Sequence, residues 1–246
     1  MSQLIGHEFM VKTRYGNLEP SAQQQQLPQP PLEASYDGTE TIIDLPMPEE
    51  IPAINIDFMA AVELRTSVRD YQSVPISLLE LSFLLWCTQG VKQVLGGNKA
   101  TLRTVPSAGA RHAIETYLLI NNVEGLKPGL YRFLALEHKL AEVNMTAVIA
   151  GEISKACLGQ KFILTSAVTF IWAADIARMT WRYGERGYRY IHLDAGHICQ
   201  NLYLSAQVIG CGACAIAAFD DELLNHVVGI DGEEQFAVYV GTVGKR

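Results

Sequence analysis

The apolar positions of this chain show no regular spacing through about residue 50 and then settle into helix-like and strand-like periods. Within the first stretch, Pro20-Ser21-Ala22-Gln23-Gln24-Gln25-Gln26-Leu27-Pro28-Gln29-Pro30-Pro31 has too few apolar groups to furnish a core and favours extended, polyproline-II-like chain. Residues 1–50 are therefore expected to form a Gln/Pro-rich arm or linker, and residues 51–246 the folded domain. From Ile56, the spacing of Phe58, Met59, Val62 and Leu64 predicts a helix ending at Arg65. Ser77 caps a second helix, with Glu80 at the capping-box position and Leu78, Leu81, Leu84 and Leu85 on its buried face. Strand patterns follow at Tyr117 to Asn121, Gly129 to Phe133 and Lys139 to Val143, the last two close enough to pair antiparallel. Ala167 to Ala173 is a short, β-branched and aromatic run that reads as a central strand. The longest helix is predicted from Tyr188 to Ile209, where Ile191, Ala195, Ile198, Leu202, Ala206 and Ile209 repeat at 3.6 spacing, and a last strand from Phe236 to Val240. Helices and strands in this irregular order predict an α+β fold.

Composition narrows the class. A chain of 246 residues, 49% hydrophobic, can bury a full core. No early stretch combines a basic start with an apolar core, and no apolar run approaches the ~18 residues of a membrane span, so a cytoplasmic protein with no membrane contact is expected. A formal charge of −7 argues against a nucleic-acid partner, which would need a broad basic surface. Five cysteines do not suggest a disulfide framework, and Cys211 and Cys214 lack a second pair at zinc-ribbon spacing. His192 and His197 are not at metal-ligand i,i+4 spacing. No metal site is expected. Gly210-Cys211-Gly212-Ala213-Cys214-Ala215 satisfies G-x-G-x-x-A, but it follows the longest helix and leads into a strand, the reverse of a dinucleotide fingerprint. There is no G-x-S-x-G, Walker loop or H-E-x-x-H, which leaves hydrolase and NTPase readings without support.

Local positive charge therefore stands out against an acidic whole. Arg65-Thr66-Ser67-Val68-Arg69 places two guanidiniums and two hydroxyls in five residues, a set suited to a phosphate and equally compatible with a solvated basic turn. Further on comes Arg103-Thr104-Val105-Pro106-Ser107-Ala108-Gly109-Ala110-Arg111-His112, followed by strand-like Thr116-Tyr117-Leu118-Leu119-Ile120. Together these resemble the flavin-binding elements of nitroreductase-like FMN oxidoreductases. The ordered segments Leu78 to Gly90, Asn122 to Tyr131 and Leu193-Asp194-Ala195-Gly196-His197 are similar to the SagB-type branch, which includes dehydrogenases that aromatise thiazolines and oxazolines in peptides. The resemblance runs from about residue 40 to the C-terminus.

The resemblance implies a nitroreductase-like α+β fold, with a central, mostly antiparallel sheet flanked by helices, and a homodimer holding FMN at the subunit interface. It implies that Arg65, Thr66, Ser67 and Arg69 hold the FMN phosphate, together with Pro106, Ser107, Ala108 and Gly109 as flavin contacts. Thr66 stands where the branch would have a second Arg. Ala217 and Ala218, in Ala215-Ile216-Ala217-Ala218-Phe219-Asp220, match the loop whose N–H groups face flavin N5; Asp220 would also cap a following helix. Lys245 and Arg246 match basic residues that reach the phosphate, though two terminal cations are more often disordered than functional. Where the branch has a Lys-Tyr pair for proton transfer, this chain has Arg189-Tyr190; arginine cannot serve as the base, which leaves Tyr190 as the catalytic candidate, or as an amphipathic residue opening the long helix. The function implied is hydride transfer through flavin N5, oxidising azoline rings in a peptide. Two alternatives remain open: an NAD(P)H-dependent nitro or quinone reductase, and a catalytically silent docking partner in a peptide-maturation complex.

Overall fold

A computed structural model describes residues 4–36, 38–47, 50 and 57–246. Its centre is a β-meander: β4 (Ile114–Ile120), β5 (Gly129–Leu134) and β6 (Lys139–Asn144) follow one another in sequence and pair antiparallel. β7 (Val168–Asp175) pairs along the whole of β4, with Leu118 opposite Phe170, and β9 (Gln235–Lys245) lies on its other side. β8 (Cys211–Ile216) closes one edge of the sheet and β1 (Ile42–Asp44) the other, in the order β1-β6-β5-β4-β7-β9-β8.

The middle of the sheet is buried on both faces, so its central strands are mostly apolar instead of alternating, and successive residues serve two different cores. Leu118, Phe170 and Trp172 pack with Leu81, Leu84 and Leu85 of α3 (Leu78–Gln89) and with Ile191, Ile198 and Leu202 of α7 (Gly187–Val208). Leu119, Ile171 and Val240 pack instead with Ile149 and Ile153 of α4 (Ile149–Ala156), Ile163 of α5 (Phe162–Thr165) and Leu224 and Val228 of α8 (Asp221–Val228). This is the expected α+β architecture, and its sheet is antiparallel at every paired strand.

The expected elements map closely. The Ser77 hydroxyl accepts from the Glu80 N–H at 3.2 Å while the Glu80 carboxylate accepts from the Ser77 N–H at 2.8 Å, the full capping box of α3. α7 covers 22 residues, one position from the predicted bounds. α2 runs over Phe58–Leu64, where the Asp57 carboxylate caps the N–H groups of Met59 and Ala60; the predicted start at Ile56 lies outside the described residues. β9 is five residues longer than expected at its C-terminal end, through Gly241 and Gly244.

The arm is laid against the body. It opens with α1 (Ile5–Lys12), its glutamine run closes a turn in which the Gln25 N–H donates to the Ser21 carbonyl at 3.0 Å, and it ends in β1. Trp181 of α6 (Ile176–Tyr183) clamps the middle of the arm: its carbonyl accepts from the Gln23 N–H at 2.7 Å and its indole donates to the Leu27 carbonyl at 3.0 Å. Glu33 accepts from the N–H groups of Ala135 and Leu136, and Arg132 donates to the Ser35 carbonyl.

Candidate functional site

The segment Arg65 to Arg69 leaves α2 extended and docks along β8. Ser67 bridges Ala213, the Val68 N–H donates to the Ala213 carbonyl at 2.9 Å, and Gly212 permits the approach, since a Cβ there would stand 2.6 Å from Val68. Tyr203 of α7 ties the two together: its hydroxyl is 3.0 Å from the Ser67 Oγ and accepts from the Ala215 N–H at 2.7 Å. Arg65 lies over the Tyr203 ring and Arg69 over Phe162. Neither guanidinium has a carboxylate partner among the described residues, and Thr66, Ser67 and Arg69 are exposed. Beyond β8, Ala217 and Ala218 are exposed with N–H groups that meet no acceptor among the described residues, while Gln160 holds the Ala218 carbonyl at 3.0 Å. Asp220 caps α8 by accepting from the Leu223 N–H. Unneutralised cations and free N–H groups are thus gathered around one strand, a set that binds an anionic ligand with a polar edge.

The loop from Pro106 to His112 is built differently. Gly109, Ala110 and His112 all have φ between +44° and +57°, a region that Ala and His rarely occupy. The strain is held by Ser107, whose hydroxyl accepts from the His112 N–H at 2.9 Å, and by Asp194 of α7, which accepts from the Ala108 N–H at 3.2 Å. Asp194 is 4% exposed, its second carboxylate oxygen has no hydrogen-bond partner among the described residues, and burial raises its pKa against the hydrogen bonds from Ser107 and Ala108. Strained backbone beside an orphaned buried oxygen marks a place organised for a ligand more than for stability.

Tyr190 sits a turn before Asp194 on α7. Its hydroxyl accepts from the Arg186 Nε at 2.7 Å and lies 2.9 Å from the Tyr15 hydroxyl of the arm. Its ring meets Tyr183 edge-on, and the Tyr183 hydroxyl closes against Gly109. Partial burial raises the Tyr190 pKa, but the hydrogen bonds from Tyr15 and Arg186 outweigh it and hold the phenol below its ordinary value. Arg189 is occupied with the arm, donating to Thr13 Oγ1 at 2.7 Å and the Met10 carbonyl at 2.6 Å.

The sequence profile of the nitroreductase family matches residues 62–245. The chain belongs to the nitroreductase family. The proposed nitroreductase MJ1384 of Methanocaldococcus jannaschii is 33% identical over 209 residues, 85% of this chain and 98% of that protein. The trifolitoxin-processing protein TfxB of Rhizobium leguminosarum bv. trifolii is 26% identical over 195 residues, 76% of this chain and 52% of its own length. The Escherichia coli microcin synthetase McbBCD complex, solved with truncated pro-MccB17 bound, contains a chain that superposes with a TM-score of 0.62 at 19% identity, covering 98% of this chain and 92% of its own.

In this nitroreductase-family oxidoreductase the expected residues fall into groups. Arg65 to Arg69 and Ala217–Ala218 share one end of β8 through Tyr203 and Gln160. Pro106 to Gly109 and Tyr190 share the N-terminal half of α7. Lys245 lies elsewhere: as the last residue of β9 its ammonium is taken by the Glu80 carboxylate and by the Ile209 carbonyl at 3.0 Å, and Arg246 is exposed. Cys211 and Cys214 are three apart in a strand and so point to opposite faces, and burial pushes the Cys211 thiol up to about 11. Among the described residues no group of His, Cys, Asp and Glu could hold a metal, and no helix is long and apolar enough to cross a membrane. Tyr203, Asp194, Gln160 and Tyr15 were missed as site residues. Of these only Asp194 carried a signal, inside Leu193 to His197.

Proposed function

We propose that this chain is an FMN-dependent oxidoreductase of the SagB type that oxidises azoline rings in a peptide. The observation that carries the cofactor is the pairing, across one end of β8, of two guanidiniums and two N–H groups that meet no carboxylate or acceptor among the described residues. FMN would supply hydride acceptance at its N5. Arg65, Ser67 and Arg69 would hold the phosphate, and the N–H groups of Ala217 and Ala218 would face the ring edge at N5. The strained loop from Pro106 to Gly109, fixed by Asp194, is a second wall for the flavin. Tyr190 is the proton acceptor of this reading: hydrogen bonds from Arg186 and Tyr15 favour its phenolate, as removal of a ring proton requires. The peptide substrate is supported by the relatives, one a trifolitoxin-processing protein and one a microcin synthetase chain. Purified protein showing absorption bands near roughly 370 and 450 nm, and removing two hydrogens from an azoline peptide by mass spectrometry, supports the reading. A colourless protein that does not take up added FMN overturns it.

A second reading has its own support in the 33% identity to a proposed nitroreductase: an NAD(P)H-dependent nitro or quinone reductase on the same flavin. Steady-state turnover of NAD(P)H with a quinone, and none with an azoline peptide, selects it.

A further inference from the structure

A cavity of about 940 Å³ lies away from β8, between the arm and the turn of the hairpin formed by β2 (Val91–Leu95) and β3 (Ala100–Arg103). Part of its wall, from Gln23 to Glu33, precedes the segment that the nitroreductase profile matches. That wall is fixed, because Trp181 holds the arm at both Gln23 and Leu27.

Lys99, Arg111 and Arg182 all line it. The Arg111 guanidinium lies over the Trp181 ring and donates to the carbonyls of Gly109 at 3.1 Å and Lys99 at 3.0 Å. The Arg182 Nε comes to the same place, 2.8 Å from where a Cβ on Gly109 would stand. None of the three cations has a carboxylate partner among the described residues. Glu33, the one acid in the wall, turns its carboxylate to the N–H groups of Ala135 and Leu136. Burial, and then the charge of Arg182, both disfavour the Arg111 guanidinium. On a chain of net charge −7, Arg111 and Arg182, held close together with no carboxylate partner among the described residues, are stabilised by an anion between them.

We infer that this cavity is a second anion site, for a small molecule carrying one or two phosphoryl groups. Forked guanidiniums match phosphoryl oxygens, the volume is that of a small-molecule pocket, and Pro31, Leu32 and Leu136 offer an apolar wall to the rest of the ligand. Since Gly109 belongs both to this wall and to the proposed flavin loop, occupancy would be felt at the flavin.

Inorganic pyrophosphate is the probe, titrated calorimetrically into FMN-loaded protein and, in parallel, into flavin-free Arg65→Ala protein, where the first cluster is weakened. The second arm tests the cavity whether or not the chain proves to be a flavoprotein. One saturable site per protomer is expected in both. Arg182 is exposed, so Arg182→Ala should fold; it should weaken binding by about 10- to 100-fold, the effect of one lost charged hydrogen bond, and Arg182→Glu should abolish it. Unchanged melting temperatures and flavin content exclude a folding defect. No saturable binding by about 10 mM pyrophosphate, or equal affinity in Arg182→Glu, would overturn the inference.

Discussion

Arg65 and Arg69 carry charge that no carboxylate among the described residues neutralises, so each should matter to an anionic cofactor more than to the fold. Arg65→Ala and Arg69→Ala are each expected to raise the FMN dissociation constant about 10- to 100-fold, or roughly 1.5–3 kcal/mol, with the melting temperature of flavin-free protein kept; fluorescence titration measures it. His112 poses the opposite case, a buried group whose charge the fold forbids. Burial, and then the Arg103 charge, depress its pKa to about 3. The unfolded chain therefore takes up a proton that the native one refuses, and stability, complete above about pH 6.5, is lost as pH falls from there towards 3. His112→Asn keeps a residue tolerant of the positive φ and should flatten the fall of melting temperature over that window; an equal slope in both proteins would count against it. Neither environment was legible in sequence. Arg65 to Arg69 could be noticed as a cluster, but its surroundings and those of Asp194 depend on distant contacts: Ser67 meets Tyr203, 136 positions on, and Ala108 meets Asp194, 86 positions on.

At the scale of elements, what was legible followed from local chemistry. Ser77 and Glu80 announce α3 because both halves of the box lie within four residues, and the repeat from Ile191 to Ile209 announces α7. The predicted last strand stops at Val240, just before Gly241, yet β9 runs through both Gly241 and Gly244. They are there for close packing: a Cβ on Gly241 would stand 3.0 Å from Leu202 and Trp172, and one on Gly244 2.9 Å from Tyr71. The β2–β3 hairpin, α4 and α6 were not predicted, although Gly96-Gly97 marks the hairpin turn and both helices are amphipathic. Glu80 also meets Lys245, so it joins the start of α3 to the end of β9. Ser77→Ala should cost about 1 kcal/mol, lowering the melting temperature by roughly 2–4 °C. Glu80→Ala should cost more than Ser77→Ala, since it removes the ion pair as well, and differential scanning calorimetry of the two tests the order.

For the whole molecule, the question is how many copies make one site. The groups around β8 attach to α7 at Tyr203 and the loop from Pro106 to Gly109 attaches at Asp194, nine positions away, or about 13 Å along the helix. A flavin seated between Arg65 and Ala218 would meet that loop most readily from a second copy. The proposed homodimer has a surface to form on: α2 leaves Phe58 69% and Met59 62% exposed, with Val62 and Leu64 also outward. On α7, Ala195 and Ala206 are buried within their own protomer, whereas Gly196 is exposed. A shared site makes a prediction that a self-contained one does not. Arg65→Ala spoils the β8 side and Gly109→Val the loop side, so each variant alone should lose flavin. Unfolded together and refolded, they should form mixed dimers in about half of cases, each with one intact site, and recover about a quarter of wild-type flavin. If each protomer holds its whole site, every site in the mixture still carries one lesion, and absorbance near roughly 450 nm stays at the level of the single variants.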